Sequence, residues 1–413
     1  MPKRKNERDL SESKFLKPKY NGNSIVNIPE TAAKMLGAGS SNALKHPGID
    51  QFDSKQVVLL VLDGLGTTLV DHAKKSYGIP SYDRISRKSL QFGITSVFPS
   101  TTATAMSSLN SGLTPQEHGI IGYTMYLREL GLIGQMLRFS PLLGGRPLLD
   151  AGLDRSKFLG GPTIHERLDS VGVNSTVYLP HYIMDSGLSQ ITCRGAFVEP
   201  QNSLADMVVR LRKNLERGNE KSFHFAYHPS PDTLAHARGP HSEEYAVELE
   251  SIFATVESQL FQKLERKVAH ETLLIITGDH GAVNIEKEGI IDLSNHPKLL
   301  EMLKLPPTGD SRASIMHARE GKEKKIKQYF DQHFKNLFEV RSSKWFLENG
   351  YFGLGKVRPE TIDRIGDVIA VPRGMNVLDN SVADPRRNTI PGRHGGLSED
   401  EMSVPCIMAK LDA

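Results

Sequence analysis

The chain reads as an α/β protein, a doubly wound, mostly parallel sheet with helices on both faces. Three observations point there. From Val57 to Leu62 every residue is apolar. Residues 272–277 read Thr-Leu-Leu-Ile-Ile-Thr. Such runs lack the in–out alternation of a half-solvated strand and suit parallel strands buried on both faces. Between them, strand-like and helix-like segments alternate, which is the pattern of βαβ units.

Residues 1–50 are a polar lead-in, the first twenty expected as a flexible tail. A short helix is expected over 31–36, ended by Gly37. After the strand at 56–62 come a helix at 65–75, a strand at 91–97 and a helix of small residues at 102–111. A strand at 174–179, a helix at 206–216 and a strand at 222–227 follow. A long helical segment over 242–268 leads to the strand at 272–277. Residues 283–390 differ, with strands at 313–317 and near 367–371 around a charged helix at 322–334. They are expected to form a smaller inserted α/β subdomain, leaving 51–282 and 391–413 as the core domain. The stretch 122–162, rich in Gly, Leu and Arg, is a second insertion candidate. Insertions over strand ends commonly set substrate choice.

With 413 residues the chain can bury a large core. Charged residues at 24% and hydrophobic ones at 38% describe an ordinary globular protein. The net charge of +3 is too small to argue for nucleic acid or an anionic membrane as partner. No apolar run approaches the roughly 20 residues that cross a bilayer. Lys3, Arg4 and Lys5 precede no apolar stretch, so a solvated tail is expected rather than a secretory signal. Cys193 and Cys406 are the only cysteines and imply no disulfide framework. A cytoplasmic location is the expectation.

In open α/β sheets, ligands bind beyond the carboxyl ends of the strands. Three expected strands run into acidic residues there, Asp63, Asp232 and Asp279. Alone, Asp63 would read as a helix cap. Three carboxylates converging on one edge repel one another unless cations lie between them. His280 adjoins Asp279, His236 lies four residues after Asp232, and His394 stands between Arg393 and Gly395. Mixed Asp/His donors suit zinc, with manganese as the alternative, and exclude a thiolate site. Asp232 and His236 share a face if helical, although the preceding Pro229-Ser230-Pro231 suggests a loop entering a turn. His118, His224, His228 and His241 also lie in or near these segments. A histidine near a metal site is more often a supporting group than a further ligand. Ser100, Thr101, Thr102 and Thr104 form a hydroxyl cluster at the start of the helix expected over 102–111. They suit a cap, and equally a nucleophile facing phosphate at a helix start.

Together these segments resemble the alkaline phosphatase superfamily, most of all its nucleotide pyrophosphatase/phosphodiesterase branch. The resemblance rests on the apolar strand ending in Asp63-Gly64 and on Phe98-Pro99 through Gly112 and His118 to Ile120. It rests further on Pro231-Asp232 to His236 with Gly239-Pro240, on Asp279-His280-Gly281, and on Arg393-His394-Gly395, in the family's order. It implies two divalent metals. One is held by Asp232, His236 and His394. The other is held by Asp63, Asp279, His280 and the Thr102 oxygen. Counted from Phe98-Pro99, the nucleophile falls on Thr102, giving a phosphothreonine intermediate, with the N–H of Ala103 near the phosphoryl oxygen. Diesterase relatives carry an Asn after His-Gly-Ile-Ile. Here Tyr123 takes that place and is the candidate for the same hydrogen bond.

The expected function is two-metal hydrolysis of a phosphodiester or pyrophosphate, with a nucleotide as the small-molecule partner. Only Arg238, Arg393 and Arg312 stand out as basic residues near these segments, which favours a singly charged diester over a monoester. The alternatives are a phosphomonoesterase or phosphonate hydrolase on the same core, a phosphomutase, or a silent binding module. The complete ligand set argues against the last.

Overall fold

Seven strands form the sheet that carries the acidic residues. In chain order they are β1 (Gln56–Leu62), β2 (Leu90–Thr95), β3 (Asn174–Pro180), β4 (Phe197–Gln201), β5 (Ser222–His228), β6 (Thr272–Thr277) and β7 (Ser403–Lys410). The spatial order is β2-β7-β6-β1-β5-β3-β4. Strand β7 runs antiparallel to both its neighbours, and the other pairings are parallel. The computed structural model describes residues 15–39, 42–218, 220–379 and 390–413.

β1 is central and buried at every position. Val57, Leu59 and Val61 enter one hydrophobic core, while Val58, Leu60 and Leu62 enter the other. Successive side chains of a strand point to opposite faces, so an unbroken apolar run is what a sheet covered by helices on both sides requires. No helix among the described residues is long and apolar enough to cross a membrane.

Three segments depart from expectation. The expected helix over 242–268 is Glu243–Val256, one π-helical turn at Glu257–Phe261 and a separate helix Arg266–Glu271. Residues 257–265 contain neither Gly nor Pro, so no residue punctuates the break. The helix ended by Gly37 starts earlier than expected, at Asn27. Residues 15–20 of the expected tail pack on the core: the Leu16 N–H donates to the Leu397 carbonyl at 2.8 Å, and Tyr20 is buried. Residues 1–14, including the basic cluster, lie outside the described residues.

A second sheet is antiparallel throughout. Its order is Phe338–Ser342, Val368–Pro372, Ala313–Met316, Thr308–Asp310, Thr124–Leu127, Leu132–Gln135 and Ser140–Pro141. The stretches 122–162 and 283–390, expected as separate insertions, therefore supply strands to one sheet. The helix Glu323–His333 covers part of it, burying Ile326 and Phe330 in a core with Phe338 and Val340.

Candidate active site

Four of the seven candidate ligands follow a parallel strand directly or within a few residues. Asp63 follows β1, and Asp279 and His280 follow β6. Asp232 sits on the helix Ser230–Arg238 just after β5. That helix replaces the expected loop. Proline is tolerated in a first helical turn, where its missing N–H has no intrahelical partner anyway, so Pro231 begins the helix rather than preventing it. His236 follows one turn later on the same face. Thr102 opens the helix Thr102–Leu109 beyond β2. His394 arrives from the opposite direction. Because β7 is antiparallel, its first residue Ser403 pairs with Thr95 at the end of β2. The lead-in to β7 thus lies at the edge where the parallel strands end. Gly64 permits a close approach here: at φ +72 it is left-handed, and a Cβ on it would sit 3.0 Å from the Asp232 Cα.

The residues form two clusters, Asp232/His236/His394 and Asp63/Asp279/His280, each with donor atoms within 4.8 Å of one another. His236 Nε2 lies 3.2 Å from Asp232 Oδ2, and His394 Nε2 lies 3.9 Å from Asp232 Oδ1. His280 Nε2 lies 3.3 Å from Asp279 Oδ2, 3.5 Å from Asp63 Oδ1 and 3.2 Å from Thr102 Oγ1. The rings of His280 and His394 stack at 3.8 Å and join the clusters.

Backbone carbonyls fix all three histidine tautomers. Nδ1 of His236 faces the Gly392 carbonyl at 2.8 Å, that of His280 the Gly281 carbonyl at 2.9 Å, and that of His394 the Ser100 carbonyl at 3.1 Å. A carbonyl only accepts, so each Nδ1 carries a proton and each ring turns its Nε2, the atom a metal-binding imidazole offers, into the cleft. The Nε2 atoms of His236 and His394 then face each other at 3.3 Å. Asp63 Oδ1, Asp232 Oδ1 and Asp279 Oδ2 are buried and accept no hydrogen bond. Converging Nε2 atoms and unbonded carboxylate oxygens both suit cations, and carbonyl-oriented imidazoles are the usual setting of metal-binding histidines. The donor set fits two divalent ions.

The electrostatics agree. Burial pushes Asp63 well above the ordinary carboxylate range, with the charges of Asp279 and Asp232 adding to it. Burial carries Asp279 up to about 7, the Gly64 backbone bond opposing and Asp232 adding. For Asp232 burial is outweighed by His236 and His394, which hold it below its usual range. For His236 burial is outweighed by Asp232, which lifts it to about 9. Burial, with His280 and His236, pushes His394 well below its usual value. Without metal, the cleft resists ionising two carboxylates and keeps a proton on one imidazole. That is a deficit of positive charge.

Several supporting residues had no sequence signal. Tyr227, buried at the end of β5, donates its hydroxyl to Asp63 Oδ2. An aromatic in a buried strand reads simply as core. Ser96 Oγ donates to the Asp279 carbonyl at 2.5 Å. Gln135 donates to the Tyr123 hydroxyl. The four further histidines lie outside both clusters. His118 accepts the Ile120 N–H at 3.0 Å, and its other nitrogen meets Ser108 Oγ. Burial, helped by Arg358 and Arg364, pushes it down to about 3, so it is a neutral internal strut. His224 bonds Tyr178 and Ser222, His228 faces Glu248, and His241 packs on His72.

A cavity of about 570 Å³ adjoins the clusters, bordered by Thr102, Ala103, Tyr123, Arg138, Tyr182 and an apolar wall including Met106, Ile183 and Phe225. Of the expected basic residues, Arg393 lines it but pairs with Asp379 at 3.1 Å. Arg312 is fully buried against Glu401. Arg138, from the antiparallel sheet's side, lines the cavity and is exposed.

The family model for type I phosphodiesterase/nucleotide pyrophosphatase matches residues 57–397. The chain belongs to this family. Membership makes the protein a hydrolase of the phosphodiesterase and pyrophosphatase class. Among solved structures it is similar to murine ectonucleotide pyrophosphatase/phosphodiesterase 5, at 20% identity and TM-score 0.65, over 86% of this chain and 87% of that one. An inactive variant of the murine protein in complex with AMP is similar at 19% identity and TM-score 0.64, over 86% and 87%. Phosphonoacetate hydrolase from Sinorhizobium meliloti, in complex with phosphonoacetate, is similar at 18% identity and TM-score 0.63, over 85% and 89%. At these identities the likeness is one of fold, an α/β architecture shared across all three. Comparison with the curated proteins gives no match.

Proposed function

We propose that the protein hydrolyses phosphodiester or pyrophosphate bonds of nucleotides with two divalent cations, zinc first and manganese as the alternative. The observation that carries the metal reading is the convergence of the Nε2 atoms of His236 and His394, 3.3 Å apart, beside three buried carboxylate oxygens without hydrogen bonds. Asp232, His236 and His394 would hold one ion, and Asp63, Asp279, His280 and Thr102 Oγ1 the other. The ions supply a lowered hydroxyl pKa and neutralisation of phosphoryl charge.

The chain's own residues do the rest. Thr102 Oγ1 is the nucleophile, at the border of the cavity and of the inner cluster: its bond to phosphorus forms as the P–O bond to the leaving group breaks, its proton passing to solvent or to the departing oxygen, and water then cleaves the phosphothreonine, restoring the Thr102 hydroxyl and releasing the phosphate product. Thr102 begins its helix, so first-turn N–H groups, that of Ala103 among them, are available to phosphoryl oxygens. Such fixed donors stabilise charge that spreads over the equatorial oxygens in phosphoryl transfer. Tyr123 borders the cavity with its hydroxyl anchored by Gln135, and is assigned the phosphoryl hydrogen bond.

A nucleotide is supported by the cavity's size and mixed wall, and by the AMP complex of the similar murine variant. A diester is supported by the scarcity of cations at the cavity, where Arg393 is already paired and Arg138 is the one other arginine of the described lining. A cytoplasmic location completes the proposal. A panel of nitrophenyl monoester, nitrophenyl diester and dinucleotides, run with zinc and with manganese, tests it. Diester turnover should exceed monoester turnover, and the reverse order overturns the substrate assignment.

A further inference from the structure

One buried carboxylate stands behind both clusters. The Glu401 side chain is 0% exposed. Its Oε1 accepts the Gly396 N–H at 2.7 Å and Arg312 Nε at 2.6 Å, and its Oε2 accepts Arg312 Nη2 at 2.8 Å and Ser398 Oγ at 2.6 Å. Its own carbonyl accepts the Gly281 N–H at 2.9 Å. Gly396 lies two residues after His394, and Gly281 directly follows His280. One residue therefore grips the backbone beside a histidine of each cluster. The fit is close: a Cβ on Gly396 would sit 2.8 Å from Glu401 Oε2.

The chain of contacts continues to the ligands. The Gly396 carbonyl accepts Ser100 Oγ at 2.8 Å, and the Ser100 carbonyl in turn accepts Nδ1–H of His394. On the other side, the Gly281 carbonyl accepts Nδ1–H of His280. Arg312 lies in the turn between Thr308–Asp310 and Ala313–Met316 of the antiparallel sheet, and its Nη1 donates to the carbonyls of Gly374 at 3.1 Å and Asn376 at 2.6 Å. A buried ion pair is weak evidence for stability, since desolvation offsets the attraction. The directed fork of a guanidinium on a carboxylate fixes orientation as well as charge.

We propose that Glu401 and Arg312 are a positioning pair that sets the His394 segment against the His280 segment, and so the spacing of the two metals, from the antiparallel sheet. The inference rests on the two-metal reading above. Nothing in it requires either residue to touch substrate.

Arg312→Lys tests it by keeping the charge and removing the fork. The expected result is a folded protein with kcat reduced about ten- to a hundredfold, KM within about twofold, and at least one of two zinc equivalents bound about tenfold more weakly in titration of metal-free protein. The double variant Arg312→Met with Glu401→Gln leaves no lone buried charge and should show at least the same loss. Arg84→Ala, which breaks the exposed pair with Glu257, should leave zinc affinity and kcat unchanged. Wild-type zinc affinity and kcat in either folded variant overturns the positioning role. Failure of both variants to fold also overturns it, making the pair a strut of the fold alone. A wild-type protein that binds no zinc or manganese and hydrolyses without them overturns the two-metal reading instead.

Discussion

The two clusters use the same residue types in different surroundings. In the inner one, the side chains of Asp63, Asp279 and His280 are 5%, 0% and 0% exposed. In the outer one, Asp232, His236 and His394 are 13%, 33% and 9% exposed. The inner residues follow the adjacent central strands β1 and β6, and Tyr227 and the Gly64 N–H bond their carboxylates. The outer residues come from a helix and from the lead-in to an antiparallel strand. The same donors thus sit once in a sealed, backbone-fixed setting and once at a wetter mouth. On the proposed two-metal reading, the inner cluster would hold its ion more firmly, and the outer would exchange ion and water.

The largest effect should come from removing metal. Dialysis against a chelator is expected to abolish hydrolysis, and zinc or manganese to restore it. Elemental analysis before dialysis should find close to two metals per chain. The difference in exposure adds a sharper expectation: metal leaves in two phases, the fast one quickened or lost in His236→Ala and retained in Asp279→Asn. A single phase, or full activity in metal-free protein, breaks the comparison.

Next in size is the proposed nucleophile Thr102, whose Oγ1 lies 3.2 Å from Nε2 of the inner His280. Thr102→Ala should lose at least about 10³-fold in kcat with the fold intact, as for a group acting in the transition state. Thr101 and Thr104 are buried, and Thr104 Oγ1 already accepts the Gly122 N–H at 2.8 Å. Thr101→Ala and Thr104→Ala should therefore cost far less. A dead Thr101→Ala beside an active Thr102→Ala would shift the nucleophile by one residue.

The same contrast explains what could be read from the sequence. Asp63 directly follows one apolar run and Asp279 lies three residues past another, so strand, edge and carboxylate are visible together. Asp232 and His236 were visible as a pair, but Pro229 and Pro231 disguised their helix as a loop. β7 is not legible in the sequence, because Pro405 interrupts its apolar stretch, and proline in a run argues against a strand. In the sheet it pairs with Gly93 across from β2. The antiparallel sheet was only partly visible, since strands such as Ser140–Pro141 and Thr308–Asp310 are too short to show a period. Tyr227 and Gln135 act through side-chain bonds formed only after folding, and no pattern of apolar spacing reports those. Arg138 and Glu401 were hidden for the same reason, as exposed and buried charges look alike in a sequence.

A smaller effect should follow from the inner cluster's phenol. Tyr227→Phe keeps the ring in its buried slot and removes the donor to Asp63. Loss of such a supporting bond typically costs about ten- to a hundredfold in metal affinity. The expected signature is weaker binding of the more tightly held zinc equivalent, measured by competition with a chelating dye, while the weaker site keeps its affinity. Equal weakening of both sites would mean that the clusters are not independent in the way their surroundings suggest.

The smallest effect expected concerns Tyr123, which borders the cavity rather than either cluster. Tyr123→Phe removes the hydroxyl that Gln135 anchors and keeps the aromatic wall. A hydrogen bond to a charged group is worth roughly 1.5–3 kcal/mol, and the shared hydroxyl places the effect at the low end, about tenfold in kcat/KM for a nitrophenyl diester. Metal content should not change, because Tyr123 is in neither cluster. Gln135→Ala should produce a similar but smaller loss by freeing the ring to move. If Tyr123→Phe turns over the diester at the wild-type rate, Tyr123 is wall alone, and orientation of the phosphoryl group falls to Thr102 and the first-turn N–H groups of its helix.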